Sequence, residues 1–237
     1  LDDAELSSMQ QALLLMRTTQ IGASYNIPIV FEITGHYDAF RLATTLESVL
    51  CCFPNCNTSI ASVIPILSDI DLSRCLSNPK EIALQMIQKD ACTPLDLKTS
   101  VYRCKIYYLN NVHCILSLVV HHIAFDYQSW NTLKSVIENS YLTGCTTVTL
   151  NSSRSSWINF VQSEHKQYEL QKKETDKFWH DQLHCFPYFI PFPTSFSRPQ
   201  FCQHRGRRAL QRCEASLYQK LLYLCTALDV QPVCFIL

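Results

Sequence analysis

The sequence predicts an α/β chain of the α+β kind, in which strands and helices mix without strict β-α-β alternation. Three observations carry this. The stretch "YNIPIVFEIT" places Ile27, Ile29, Phe31 and Ile33 at every second position, the period of a strand with one buried face. Two apolar runs, Tyr102 to Leu109 and His113 to Val120, meet at Asn110-Asn111 and predict a hairpin. Segments between and after them repeat apolar residues at helical spacing, with capping residues at their starts.

In chain order, "SSMQQALLLM" predicts a helix that Ser7 or Ser8 can cap, with Met9, Leu13 and Met16 as its apolar stripe. The first strand follows and Gly35 ends it. Asp38 then caps a helix over about 39–50, with Phe40, Ala43, Leu46 and Leu50 on one face. "CCFPNCNTSIAS" has the composition of a loop, and "SVIPIL" predicts a short edge strand, because Pro65 has no N–H to donate. Asn78 as cap and Pro79 at the first position predict a helix over "NPKEIALQMIQKDA". After the hairpin, a helix is predicted over about 129–141, capped by Ser129 and closed before Gly144. A Ser/Thr-rich loop, a charged helix over about 155–183, a Pro- and Phe-rich connector and a last helix over 215–228 complete the chain. There is no internal repeat. Both ends, Leu1 and "PVCFIL", read as cuts from a longer polypeptide.

The 237 residues are 47% hydrophobic and 17% charged, which excludes a disordered chain. A formal net charge of zero gives no pull toward nucleic acid or an anionic membrane. No apolar run approaches the roughly 20 residues that span a bilayer. Thirteen cysteines are scattered without a C-x-x-C pair or zinc-ligand spacing. Most read as small buried hydrophobes of a reducing, cytoplasmic compartment, with a secreted disulfide framework as the alternative; the acidic, polar start "LDDAELSS" is not a signal peptide.

The stretch "VVHHIAFDYQSW", Val119 to Trp130, concentrates the chemistry. Strand alternation puts Leu116, Leu118, Val120 and His122 on one side and Ser117, Val119 and His121 on the other. The two histidines therefore do different jobs: one supports the fold and the other can face a cleft. Asp126, four positions after His122, can fold back under an imidazole or pair with a basic side chain. An imidazole with a pKa near 6.5 suits general-base work at neutral pH. A hydrogen-bonded core histidine is the plainer reading of the same residues.

"HHIAFDYQS" resembles the H-H-x-x-x-D-x-x-S signature of condensation domains of nonribosomal peptide synthetases, in the chloramphenicol acetyltransferase-like superfamily. "YNIPIVFEITGHYDAFRLATTLESVL" resembles that family's opening strand and helix, and "TPLDL" its turn before the hairpin. "WINFVQSEHKQYELQKKETDKFWHDQL" resembles its long helix, and "LYQKLLYLCTALDVQPVCFIL" the helix and strand that approach a second lobe. The resemblance implies a mixed sheet with helices packed on one face in a two-layer sandwich. It implies residues 1–185 as the N-terminal lobe and 186–237 as a connector and the start of a truncated second lobe. It also implies amide formation between a carrier-bound acyl thioester and a carrier-bound amine. His122 then matches the catalytic histidine, His121 the structural one, and Asp126 an aspartate that pairs with an arginine. No cofactor or metal is bound directly; phosphopantetheine arms arrive on peptidyl or acyl carrier domains, with adenylation or polyketide synthase modules in the same polypeptide.

Three departures stand out. Tyr127 replaces the family's usual glycine, Ala12 stands where the family has arginine, and "CCFPNCNTSIAS" replaces an expected "R-H-E-x-L-R-T". They leave two other readings: a coenzyme A-dependent acyltransferase, since H-x-x-x-D also marks those, or a non-catalytic copy that docks carriers. His180 and His184 share a helical face as a metal pair would, without an evident third ligand. "HRGRRALQR" reads as a solvated basic face that can meet an acidic carrier or a phosphate. Trp157, Phe160 and Trp179 read as core.

Overall fold

Four strands form one sheet in the order β1-β4-β3-β2: β1 (Asn26–Thr34), β2 (Ser68–Asp71), β3 (Tyr102–Asn110) and β4 (His113–His121). This computed structural model describes residues 6–17, 22–52, 67–144, 154–187, 193, 195–197 and 211–235. β1 and β3 run antiparallel to β4, whereas β2 runs parallel to β3, so the sheet is mixed. Six α-helices accompany it among the described residues: α1 (Ser8–Arg17), α2 (Ala39–Cys52), α3 (Pro79–Ala91), α4 (Tyr127–Thr143), α5 (Arg154–Leu183) and α6 (Ala215–Leu228). The chain divides into two compact units, Leu1–Gln203 and His204–Leu237.

The first strand behaves as its alternation predicts, with Ile27, Ile29, Phe31 and Ile33 turned inward and Pro28, Val30, Glu32 and Thr34 outward. β4, the inner strand between β1 and β3, is buried from Cys114 to His121. On one sheet face, Cys104, Ile106, Leu116 and Leu118 pack with Leu42, Leu46, Val49 and Leu50 of α2 and Leu133 of α4. Each such leucine removed from water contributes about 1.5–3 kcal/mol. The opposite face is also covered: Ala83 and Ile87 of α3 pack on Tyr107, Leu109 and Ile115. Helices thus lie on both faces of the sheet, α2 and α4 on one and α3 on the other.

Caps fix the helix starts. Ser7 Oγ accepts from the Gln10 N–H (3.3 Å) while Gln10 Oε1 accepts from the Ser7 N–H (3.1 Å), a reciprocal cap that begins α1. Asp38 Oδ1 accepts from the Arg41 N–H at 2.9 Å, and Asn78 Oδ1 from the Lys80 N–H at 3.2 Å with Pro79 at the first helical position. α6 spans the predicted residues.

Some expectations fail. Met9 is 69% exposed and Phe40 80% exposed, so neither belongs to the buried stripe of its helix; Gln10 and Leu42 take those places, and Leu6, just before α1, is buried as well. Phe160 and Trp179 are also more than half exposed, so they are not core, and Trp157 is half-buried. The edge strand is β2, "SDID"; the predicted strand at "SVIPIL" and the loop before it lie almost wholly outside the described residues, as do 145–153 and 204–210 of the basic run.

Candidate active site

The end of β4 builds the site. β4 pairs with β1 up to Asn26, opposite His121, and the chain then turns through His122, Ile123 and Ala124 before α4 begins. His121 is 8% exposed. Its backbone N–H donates to the Val101 carbonyl (2.8 Å), and its Nδ1 accepts from the Ile123 N–H (3.1 Å). A backbone N–H can only donate, so Nδ1 is the acceptor and the neutral ring carries its proton on Nε2. The Tyr25 ring lies 6.0 Å from it, tilted by 49°.

His122 is exposed. Its backbone N–H donates to the Tyr25 carbonyl at 2.9 Å, so the main chain is held while the ring stays in water. Strict alternation had placed this residue beside Leu116, Leu118 and Val120. The ladder ends one residue earlier, at His121, and the turn swings His122 out of the core side.

Two anchors hold the turn. Ile123, Ala124 and Phe125 are buried and pull it onto the core. Gln10, buried on α1, donates through Nε2 to the Ile123 carbonyl at 3.0 Å. Sequence reading missed Gln10 as a contributor, although its S-x-x-Q spacing from Ser7 marked the cap. The "TPLDL" turn seats Leu95 and Leu97 in the same core, and Asn26 Nδ2 donates to the carbonyls of Ala91 (3.0 Å) and Thr93 (2.9 Å) beside it.

Asp126 is the N-cap of α4, and Ser129 is not. Asp126 Oδ1 accepts from the Ser129 N–H (2.7 Å) and from its hydroxyl (2.6 Å). The hydroxyl bond is the main reason its carboxyl sits below the usual carboxylate range, followed by the Ser129 and Gln128 N–H groups and, last, the charge of His122. The arginine partner that the resemblance implied is not present among the described residues; the helix start takes its place. Tyr127 occupies the first helical position, 82% exposed and without positive φ, so the bulk that replaces glycine there strains no backbone.

His180 and His184 stack at 6.0 Å with planes 9° apart, and among the described residues no group of three or more His, Cys, Asp or Glu is placed to hold a metal ion. No described helix is long and apolar enough to cross a membrane.

A buried histidine, an exposed histidine and a capping aspartate at a strand-to-helix turn narrow the family. Residues 66–233 match the model of the family described as Condensation domain. The chain belongs to the condensation domain family. Bacitracin synthase 3 of Bacillus licheniformis is 25% identical over 226 residues, covering 91% of this chain and 4% of that protein. The beauvericin nonribosomal cyclodepsipeptide synthetase BEA1 of Gibberella fujikuroi is 26% identical over 237 residues, covering 93% of this chain and 7% of the relative. The chain thus spans a small part of the curated relatives it matches. Among solved structures, the same fold recurs in holo-AB3403, a four-domain nonribosomal peptide synthetase, at a TM-score of 0.74 and 19% identity, over 96% of this chain and 18% of that one. The first condensation domain of the calcium-dependent antibiotic synthetase aligns at a TM-score of 0.60 and 21% identity, over 77% of this chain and 47% of that one.

Proposed function

We propose that this chain is the histidine-bearing part of a condensation domain, which joins an acyl thioester on one carrier protein to an amine on another. The observation that carries the reading is the division of labour at the end of β4, where His121 is buried and clamped while His122 is anchored by its main chain with its ring exposed. The amine nitrogen attacks the thioester carbonyl carbon. The C–N bond forms, the C–S bond breaks, and the carrier thiol leaves. The amine gives up one proton and the thiolate gains one. His122 takes the amine proton or orients the amine by accepting it in a hydrogen bond, His121 holds the turn, and Asp126 fixes the start of α4 behind it.

The partners are peptidyl or acyl carrier domains, whose phosphopantetheine arms deliver both substrates, with adenylation or polyketide synthase modules in the same polypeptide. Within this reading residues 1–185 form the N-terminal lobe, and 186–237 are the connector and the start of a second lobe. The alignment to about half of a solved condensation domain supports reading the chain as part of one, and the two compact units themselves divide later, between Gln203 and His204. Cys104, Cys114 and Cys225 are buried, which fits the reading of cysteines as small hydrophobes in a reducing, cytoplasmic setting.

The test uses the intact synthetase with both carriers loaded. His122→Ala is expected to lower amide formation by about 10²–10⁴-fold, the range for loss of general acid–base help. The carrier-bound product is read by intact mass, and carrier loading is measured alongside. Product at the wild-type rate with both carriers loaded rejects the catalytic role.

A further inference from the structure

The other end of the sheet carries a pocket that the condensation chemistry does not use. It lies where β3 ends and β2 runs out, with a volume of about 670 Å³, inside the range of small-molecule sites. β4 runs nine residues from the hairpin at that end to the His121 turn, so the two places stand roughly 25 Å apart at ~3.3 Å per residue.

Its walls are aromatic and its rim is acidic. Tyr37 and Tyr108 stack with planes 5° apart and centroids 6.4 Å apart. The Tyr37 hydroxyl donates to the Asn110 carbonyl at 3.1 Å, and the Asp69 carboxylate lies near enough to the Tyr108 hydroxyl to add to the rise that burial gives its pKa. Burial pushes both phenols up to about 12, so they are neutral rings at physiological pH. Phe40 adds a third ring, 80% exposed, in the first turn of α2.

Asp69 and Asp71 sit two apart on β2 and line the pocket from one side of the strand. The Ser73 hydroxyl, then its N–H at 2.9 Å and, least, the charge of Arg74 hold the Asp71 carboxyl below its usual range. Among the described residues neither carboxylate has an ion-pair partner within 4 Å, and no lysine, arginine or histidine lines the pocket. Two negative charges beside three aromatic faces select a flat or alkylated cation, held by carboxylates at its edge and by π faces over its body.

We propose that this pocket binds an organic cation of the guanidinium or alkylammonium class. The cation is a free amine or guanidine, or the side chain of an arginine or lysine on a partner. The proposal does not depend on His122 or on the condensation reading.

The test is titration of the full chain with agmatine, followed by tyrosine fluorescence or by amide shifts of Tyr37, Tyr108 and Asp71. Butylurea, flat and polar but uncharged, is the matched control. Agmatine is expected to bind at least tenfold more tightly than butylurea. Asp69→Asn with Asp71→Asn is expected to weaken agmatine at least tenfold, and Phe40→Ala several-fold, with thermal melts confirming that each variant folds. A peptide with one arginine, against the same peptide with citrulline, separates the sources: preference for the peptide points to a partner, preference for agmatine to a small molecule. Equal binding of agmatine and butylurea, or full binding by the folded double variant, overturns the proposal.

Discussion

Gln10 on α1 and Ile123 in the histidine turn are joined by a 3.0 Å hydrogen bond that spans 113 positions of the chain. The amide is used at both ends, since Oε1 also accepts the Ser7 N–H that starts the helix. One buried side chain thus ties the first helix to the segment that presents His122.

Gln10→Leu leaves the buried Ile123 carbonyl without its donor, and a cost of about 1–3 kcal/mol is expected. Gln10→Glu is the sharper variant, because it replaces the donor with a second acceptor facing that carbonyl. Urea denaturation of each against wild type reads the loss. A Gln10→Glu chain as stable as wild type would show that the bond does not hold the turn.

Asp126 gives a pH signature. Its folded carboxyl lies below the ordinary range, held there chiefly by the Ser129 hydroxyl. A group depressed in the folded state contributes stability above its unfolded pKa, about 3.9, and that stability is lost as pH falls through the folded value. Asp126→Ala is expected to cost about 0.5–2 kcal/mol at pH 7, the usual range for a helix cap. The gap between the two proteins should close below about pH 4. Unfolding free energies measured from pH 7 to pH 3 check this; a gap that widens in acid contradicts it.

Gly144 ends α4 at φ 70°. A Cβ there would stand 3.1 Å from Arg41 Nη2, the group that donates to the Leu142 carbonyl at 3.0 Å. Gly144→Ala is expected to cost about 1–2 kcal/mol from the left-handed backbone. Differential scanning calorimetry reads it as a lowered melting temperature, and no change would mean that the helix end relaxes.

Asp90 collects three partners at the end of α3. Lys105 Nζ lies at 2.6 Å, the Tyr107 hydroxyl at 3.3 Å and Arg103 Nη1 at 3.8 Å. Asp90→Ala removes the acceptor they share, and about 1.5–3 kcal/mol is expected, as for hydrogen bonds to a charged group. The pairs are largely shielded from solvent, so the loss should persist in high salt. A loss that vanishes at 1 M salt would assign them to surface screening instead.

Much of this was legible because local chemistry decides it. Asn78 and Pro79 mark a helix start through groups that touch only their own first turn, and the alternation of β1 needs no knowledge of its neighbours. Helical spacing identifies a stripe but not where its core-facing side ends, and Met9 and Phe40 fall beyond that edge. β2 is four residues of "SDID" ordered by β3 alongside it, with no signal of its own. At the site, the adjacent histidines were plain. The orientation of His122 was not, because alternation holds only while the ladder lasts, and pairing stops at His121. Gln10 escaped notice because its second bond reaches a backbone carbonyl far along the chain.

The borders of the sheet carry one more consequence. Among the described residues one outer strand is β2, short and bearing Asp69 and Asp71, and the other is β1, interrupted by Pro28, which has no N–H to offer. Charge guards one margin and an imino acid the other, so a stray chain finds poor purchase for extending the ladder. Fibrillar self-assembly by strand addition is thereby discouraged at both flanks, even for an inner strand as apolar as Cys114 to Val120.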